Sequence, residues 1–351
     1  MNLYNSQTYL QDLDYVQSKA NLFSSFCNKT IFITGASGLI GSAVVDLLLR
    51  YSELHEGCIT ILAGGRSESL FFNRFSKYKE CSYLHFIPYN ASSSNSLDFH
   101  ADYIIHGASN ASPSKIQDNP VETMLDNFCG LQELLNYAKN HNVKNTVFIS
   151  SSEIYGSRYS VSSKPFHESE YGFIDLLNPR SSYSVGKRAA ETLCASYAYE
   201  LNLPVSIARP GHIYGPTAKA DDNRVASSFA YAASSGIDLV LKSDGSQLRS
   251  YCYMLDCATA LLTILLFGAS STAYNISNPD SIISIRTLAE LYAKFGKVNL
   301  GFDHPSTKEQ KAFNPMENSS LDSTLLESLG WSPLFDAPTG TAHTIKILQE
   351  S

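Results

Sequence analysis

The 351-residue chain has little of what marks secreted, membrane or nucleic-acid-binding proteins. Basic residues are not in excess: 26 Lys and Arg stand against 33 Asp and Glu, a net charge of −7. A polyanionic backbone is therefore an unfavourable partner. No long hydrophobic run is present. The longest, ATALLTILLFGA at 258–269, is too short to cross a bilayer and is broken by threonines. The opening residues, MNLYNSQTYLQDLDY, lack the basic start and apolar stretch of a signal peptide. The seven cysteines include no C-x-x-C pair, and the nine histidines no H-x-x-x-H pair. Neither a zinc knuckle nor a disulfide framework is expected. Cys27, Cys58, Cys81, Cys129, Cys194, Cys252 and Cys257 are read as reduced core thiols. The expectation is a soluble, cytoplasmic protein with no membrane, nucleic-acid or metal partner.

What is present is a core. Apolar residues make up 44% of the chain and charged residues 17%, a globular balance that excludes global disorder. The length allows two or three domains, or one large α/β domain with an appendage. Leu10, Leu13, Val16 and Ala20 recur at helical spacing and predict a short amphipathic helix before the first strand. Apolar runs at 29–34, 58–63, 84–88, 103–106, 146–150 and 205–209 read as strands. Helical patterns lie between them, including 123–140 and 184–200. This alternation predicts a doubly wound parallel sheet of Rossmann type, covered on both faces. After Tyr214-Gly-Pro216 the segments become short and mixed, with one more strand at 274–277. The expected organisation is a helical extension (1–27), a dinucleotide-binding domain (28–215 with 251–277) and a small α/β substrate-binding cap (216–250 with 278–351).

The first strand runs into Gly35-Ala-Ser-Gly-Leu-Ile-Gly41, a G-x-x-G-x-x-G loop opening a helix. In that context the first glycine allows a tight turn, the second a close approach to a pyrophosphate and the third close helix packing. The helix start offers free N–H groups to phosphate. Gly35, Ser37, Gly38, Leu39, Ile40 and Gly41 are thus candidate cofactor residues. The second strand ends Leu62-Ala-Gly-Gly-Arg66-Ser67, without the carboxylate that would bind the ribose hydroxyls of NAD. Arg66 and Ser67 suit a 2′-phosphate instead, so NADP is modestly favoured over NAD.

Tyr183-Ser-Val-Gly-Lys187 puts a phenol and an ammonium one turn apart on a helix face. The ammonium is expected to lower the tyrosine pKa toward working pH. The strand end at 148–156, FISSSEIYG, adds hydroxyls at Ser151 and Ser152 and a carboxylate at Glu153, at the sheet edge where ligands bind. Ser151 is a candidate to position an alcohol that Tyr183 deprotonates, and Glu153 a candidate general base.

These pieces together resemble the extended short-chain dehydrogenase/reductase superfamily, in its NAD-dependent nucleotide-sugar epimerase/dehydratase branch. The matching motifs are TGASGLIGS, IIHGASNASP (104–113), NPVETMLDNFCG (119–130), ISSSEIYG (149–156), NPRSSYSVGKRAAE (178–191), ARPGHIYGP (208–216) and RSYCYMLD (249–256). The ASNASPSKIQDNP stretch and the Ser151-Ser152-Glu153 triplet most resemble UDP-glucuronate decarboxylases. Three departures stand out. Those enzymes have aspartate where Ala63 sits, an acidic pair where Ser184-Val185 sits, and asparagine where His212 sits.

The resemblance implies tightly bound NAD(P), a nucleotide-sugar substrate and a homodimer formed through two helices per subunit, one bearing the tyrosine. It adds Ala108, Asn127 and Pro210 to the cofactor site, beside Tyr183 and Lys187. It places Ser109, Arg180, His212 and Arg249 at the substrate, Arg249 on the sugar diphosphate. Arg180 would meet a substrate carboxylate or form a surface salt bridge. The implied chemistry begins with C4 oxidation of the sugar to a 4-ketone. Decarboxylation is the first expectation; 4,6-dehydration, 4-epimerisation and NADPH-dependent 4-ketoreduction are the alternatives.

Overall fold

A computed structural model describes residues 2–109, 111–159, 162–305 and 316–351. Asn110, inside the 104–113 motif, lies outside the described residues. The strands in chain order are β1 (Lys29–Thr34), β2 (Ile59–Gly65), β3 (Leu84–Pro88), β4 (Tyr103–His106), β5 (Asn145–Ile149), β6 (Val205–Pro210), β7 (His212–Tyr214), β8 (Leu239–Leu241), β9 (Leu248–Tyr253), β10 (Ala273–Ile276), β11 (Ile282–Ser284), β12 (Leu300–Phe302) and β13 (Asn318–Ser319). The helices used below are α1 (Gln7–Lys19), α2 (Leu39–Leu54), α3 (Glu68–Arg74), α4 (Pro113–Asp118), α5 (Pro120–Asn140), α6 (Ser182–Leu201), α7 (Val225–Ser234), α8 (Met254–Phe267), α9 (Ile285–Gly296) and the C-terminal helix Ala337–Glu350.

Seven strands form one sheet in the order β10-β6-β5-β4-β1-β2-β3, every neighbouring pair parallel. Alternation along β1 shows why the sheet is apolar on both faces. Ile31 and Ile33 pack into the cluster that holds α2 and α8. Phe32 packs into the opposite cluster, with Leu131 and Leu135 of α5 and Ala190 and Cys194 of α6. The winding direction reverses between β1 and β4. Their carboxyl ends therefore frame the crevice where such sheets bind ligands. The apolar run at 258–269 lies largely within α8, whose residues from Met254 to Leu265 are buried. Among the described residues no helix is long and apolar enough to cross a membrane.

The later segments build two small sheets, β11-β9-β13 with β7 paired to β9, and β8-β12. β7 and half of β9 fall within spans assigned above to the dinucleotide-binding domain, yet they pair with each other in the second sheet. α1 lies against both α2 and the C-terminal helix, burying Tyr9, Leu13 and Val16 completely. Its polar residues are anchored too. Asp12 accepts from Tyr253 Oη (3.1 Å) and meets His343 Nδ1 (2.8 Å). Ser6 Oγ donates to Glu350 at 2.6 Å. Tyr4, Tyr9 and Arg74 all donate to the buried Asp46 carboxylate of α2.

The cysteine reading needs correction. Cys27 and Cys58 are joined by a disulfide with their Cα atoms 4.8 Å apart. They lead into β1 and β2, whose parallel register sets Lys29 opposite Ile59. A separation of 31 residues along the chain hides that proximity. Cys194, Cys252 and Cys257 are free and buried, as a core-thiol reading requires, but Cys129 is exposed.

Candidate active site

The glycine loop follows β1 directly. Gly35 has φ +69°, and a Cβ there would lie 2.7 Å from the Gly107 carbonyl oxygen. A Cβ on Gly41 would lie 2.3 Å from the Gly35 oxygen. Both positions exclude any side chain, because the turn and the first turn of α2 are in backbone contact with β4's exit loop and with each other. α2 begins at Leu39 with Gly38 as its cap and no side-chain cap bond, so its first N–H groups stay available to an anion. Thr34 Oγ1 accepts from the Gly107 and Ala108 N–H groups at 3.2 Å and meets His106 Nδ1 at 2.7 Å, tying the loops after β1 and β4 together. These residues fit a dinucleotide. β2 ends at Gly65, leaving Arg66 exposed just beyond the strand. Ser67 caps α3, accepting from Leu70 N–H at 3.3 Å. Ser109 Oγ donates to Asn127 Oδ1 (2.8 Å), while Asn127 Nδ2 donates to the Thr123 carbonyl (2.7 Å). The buried asparagine thus has the partners its burial demands. Pro210 closes β6, opposite Ile276 of β10.

The catalytic candidates converge at the ends of β5 and the start of α6. Lys187 is buried, and its Nζ donates to the Ile149 carbonyl at 2.7 Å, 5.9 Å from the Tyr183 ring centroid. Burial pushes the Lys187 ammonium down to about 7, against the smaller pull of Glu191. Tyr183 departs from the expectation of a lowered pKa. Burial, reinforced by the Glu153 carboxylate, pushes its phenol up to about 12. A hydrogen bond from Ser151 and the charges of Arg224 and Arg180 work the other way. Desolvation of an anion outweighs these partners in the ligand-free site. Ser151 Oγ also accepts from the Glu153 N–H at 3.2 Å. Ser152 is buried at the first position of a 3₁₀ turn, Ser152–Tyr155.

Arg180 grips Glu153 through both carboxylate oxygens, at 2.9 and 3.0 Å. Ser184 Oγ donates to the same carboxylate at 3.2 Å. The pair is part-buried, with side-chain exposures of 14% and 22%, so Arg180 is not the surface salt bridge considered above. Arg249 is buried, and its Nη1 donates to the Leu248 and Glu317 carbonyls at 2.8 and 3.5 Å. Among the described residues no carboxylate pairs with it. Burial holds its pKa below the ordinary arginine value, opposed by Tyr251 and Glu153. The His212 ring lies 5.8 Å from that of Tyr251, and its Nδ1 is enclosed without a hydrogen-bond partner.

Sequence reasoning missed two features. Arg224, at the start of α7, ion-pairs with Asp222 yet acts electrostatically on both Tyr183 and His212. It lies in the mixed late region, where periodicity says nothing. The second is a buried ion pair under the site. Arg209 donates to both oxygens of Glu191, at 3.0 and 2.7 Å, and also to Tyr155 Oη at 3.0 Å. Ser150 Oγ donates to Glu191 as well. Glu191 sits one turn beyond Lys187, so i, i+4 spacing could have exposed it.

A wound parallel sheet, a glycine loop at its reversal point and a Tyr/Lys/Ser cluster beside it define a dinucleotide-dependent enzyme of the short-chain type. The model of the NAD dependent epimerase/dehydratase family matches residues 31–277, and the chain belongs to that family. It is 30% identical to UDP-glucuronic acid decarboxylase 3 of Arabidopsis thaliana over 315 residues, covering 88% of this chain and 86% of the relative. It is 28% identical to UDP-glucuronic acid decarboxylase 1 of Xenopus tropicalis, covering 90% and 71%. Among solved structures, UDP-glucose 4-epimerase of Thermotoga maritima has the same fold, with TM-score 0.74 at 22% identity over 91% of this chain and 98% of that one. So does DesIV, a dTDP-glucose 4,6-dehydratase of Streptomyces venezuelae with NAD bound, with TM-score 0.76 at 20% identity over 92% and 97%.

Proposed function

We propose that this chain is a nucleotide-sugar enzyme of the UDP-glucuronate decarboxylase type, acting through a 4-keto sugar. The observation that carries this choice within the family is the Arg180–Glu153 clamp. Dehydration needs a free base to remove the C5 hydrogen. The Glu153 carboxylate has both oxygens taken by the Arg180 guanidinium, with Ser184 on one of them, so it is not free to receive that hydrogen. Decarboxylation needs no such base.

Bound NAD(P) supplies the hydride acceptor and donor at C4. Tyr183 takes the proton of the 4-hydroxyl, and Ser151 holds that oxygen. Lys187, one turn away, stabilises the phenolate. With a ketone at C4, the C6 carboxylate is a β-keto acid. The C5–C6 bond breaks, its electron pair stays on the sugar as an enolate, and carbon dioxide leaves. C5 then takes a proton from solvent, and Tyr183 gives its proton back to the C4 oxygen as the alcohol re-forms. Net redox is zero, so the cofactor can remain bound. Arg249 is assigned to the diphosphate. We assign residues 216–250 and 278–351 to the substrate cap.

A 4-ketoreductase is the second reading, favoured by exposed Arg66 beside Ser67 where a 2′-phosphate would sit. It predicts net NADPH consumption. We also assign the protein to the cytoplasm and to a homodimer. Val121, Met124, Leu125 and Phe128 of α5 are exposed and apolar enough to form an intersubunit contact beside α6.

The test is incubation of purified protein with UDP-glucuronate, with the product mass read directly. Loss of carbon dioxide without added cofactor supports the reading. Unchanged substrate overturns it and transfers weight to a hexose-nucleotide panel with and without NADPH.

A further inference from the structure

β7 runs parallel to β9 with His212 directly opposite Tyr251. Paired residues share a sheet face, and residues two apart on a strand do too. His212, Tyr251 and Arg249 therefore line one face of the small sheet. The same imidazole feels Arg224, from the start of α7. Among the described residues, the charged and titratable groups against it are Arg249 and Tyr251 from β9 and Arg224 from the segment before α7. The face is contiguous with the catalytic cluster, since Arg249 interacts with Glu153 and Arg224 with Tyr183.

Two facts about this face are unusual. Arg249 is buried with no carboxylate against it among the described residues, whereas Arg224 and Arg180 each have one. His212 has a ring nitrogen that is enclosed and makes no hydrogen bond. A buried polar atom without a partner carries a cost unless something supplies one. An anion with acceptor oxygens would satisfy both groups, and a diphosphate has both properties.

We propose that His212 is a substrate-binding residue that takes up a proton when a nucleotide-sugar diphosphate enters the cradle formed with Arg249 and Arg224. The inference rests on the nucleotide-sugar reading above and adds a linkage to it. In the free protein, burial and the two guanidinium charges keep the imidazole neutral, with its pKa down to about 3. An entering diphosphate brings two negative charges against the ring and offsets both arginines. With the guanidinium charges neutralised and an acceptor oxygen against the ring, the imidazolium is favoured relative to the free protein. An asparagine at this position could hydrogen-bond a phosphate but could not take up a proton. Substrate affinity should therefore rise as pH falls, through this residue.

Isothermal titration of the wild-type protein with UDP-xylose, the product of the proposed reaction, tests this. The ligand's diphosphate diester has no proton to lose near neutral pH. Titrations at one pH in buffers of different ionisation enthalpy give the number of protons taken up. Net uptake in the wild type, absent in His212→Asn with affinity within tenfold, supports the proposal. Binding with no uptake, or equal uptake in His212→Asn, overturns it while leaving the nucleotide-sugar site intact. Absence of UDP-xylose binding to the wild type and to His212→Asn alike removes the nucleotide-sugar reading itself, and this inference with it.

Discussion

Arg180, three residues ahead of Tyr183 in the chain, meets Glu153 as a two-pronged ion pair in electrostatic contact with the phenol. Glu153 disfavours the Tyr183 phenolate more strongly than Arg180 favours it. Arg180→Met would remove the favourable half and leave a part-buried carboxylate unpaired. The expected result is a pH–rate profile displaced to higher pH, with lower activity at neutrality. A profile unchanged in position would show that the clamp does not act on Tyr183.

Burial pushes the Lys187 ammonium, one turn from Tyr183, down to about 7. Above that pH the free amine can serve as acceptor for the Tyr183 proton. Activity should rise with pH through about 7. In Lys187→Met the limb should move toward the Tyr183 value of about 12, with most activity lost. Steady-state kcat/KM across pH in both proteins measures this.

Tyr183→Phe should lose activity by about 10²–10⁴-fold, the range of general acid–base catalysis. The hydroxyl is the only group removed, so nucleotide affinity should persist. Comparing kcat with the UDP-xylose dissociation constant separates the two effects.

Arg209 is almost fully buried against Glu191, with side-chain exposures of 2% and 10%. Arg209→Met leaves that carboxylate buried without its cation. The expected cost is about 3–5 kcal/mol of stability, read by chemical denaturation. A loss under 1 kcal/mol would show that Ser150 alone satisfies Glu191.

Asp12 raises the pKa of His343 by hydrogen bond and charge, joining α1 to the C-terminal helix. A histidine with a raised folded pKa stabilises most below its unfolded value of about 6.5, and the gain disappears as pH rises through the folded value. The difference in melting temperature between wild type and His343→Gln should be larger at acidic than at alkaline pH. Equal differences would mean that the contact does not depend on charge.

Much of the fold was legible in local pattern. The run Lys29–Thr34 and the helix from Leu39 fell where the structure has them, because strand and helix periods, and the glycines between them, are local properties. Tyr183 and Lys187 were placed on one helix face by spacing alone. Segments after Tyr214 were not readable to this depth. Their strands are two to six residues long, and β7 and β9 find each other across more than thirty residues.

The amino-acid sequence by itself determined the wound sheet, the phosphate loop and the Tyr–Lys pair, since each is written in residues close together in the chain. Tertiary structure decided what those groups experience. It set Arg180 on Glu153, enclosed His212 beside two arginines, pushed the Tyr183 phenol up where a lowered value was expected, and brought Cys27 to Cys58. Charge and burial depend on neighbours distant in sequence, and only the folded chain assembles those neighbours.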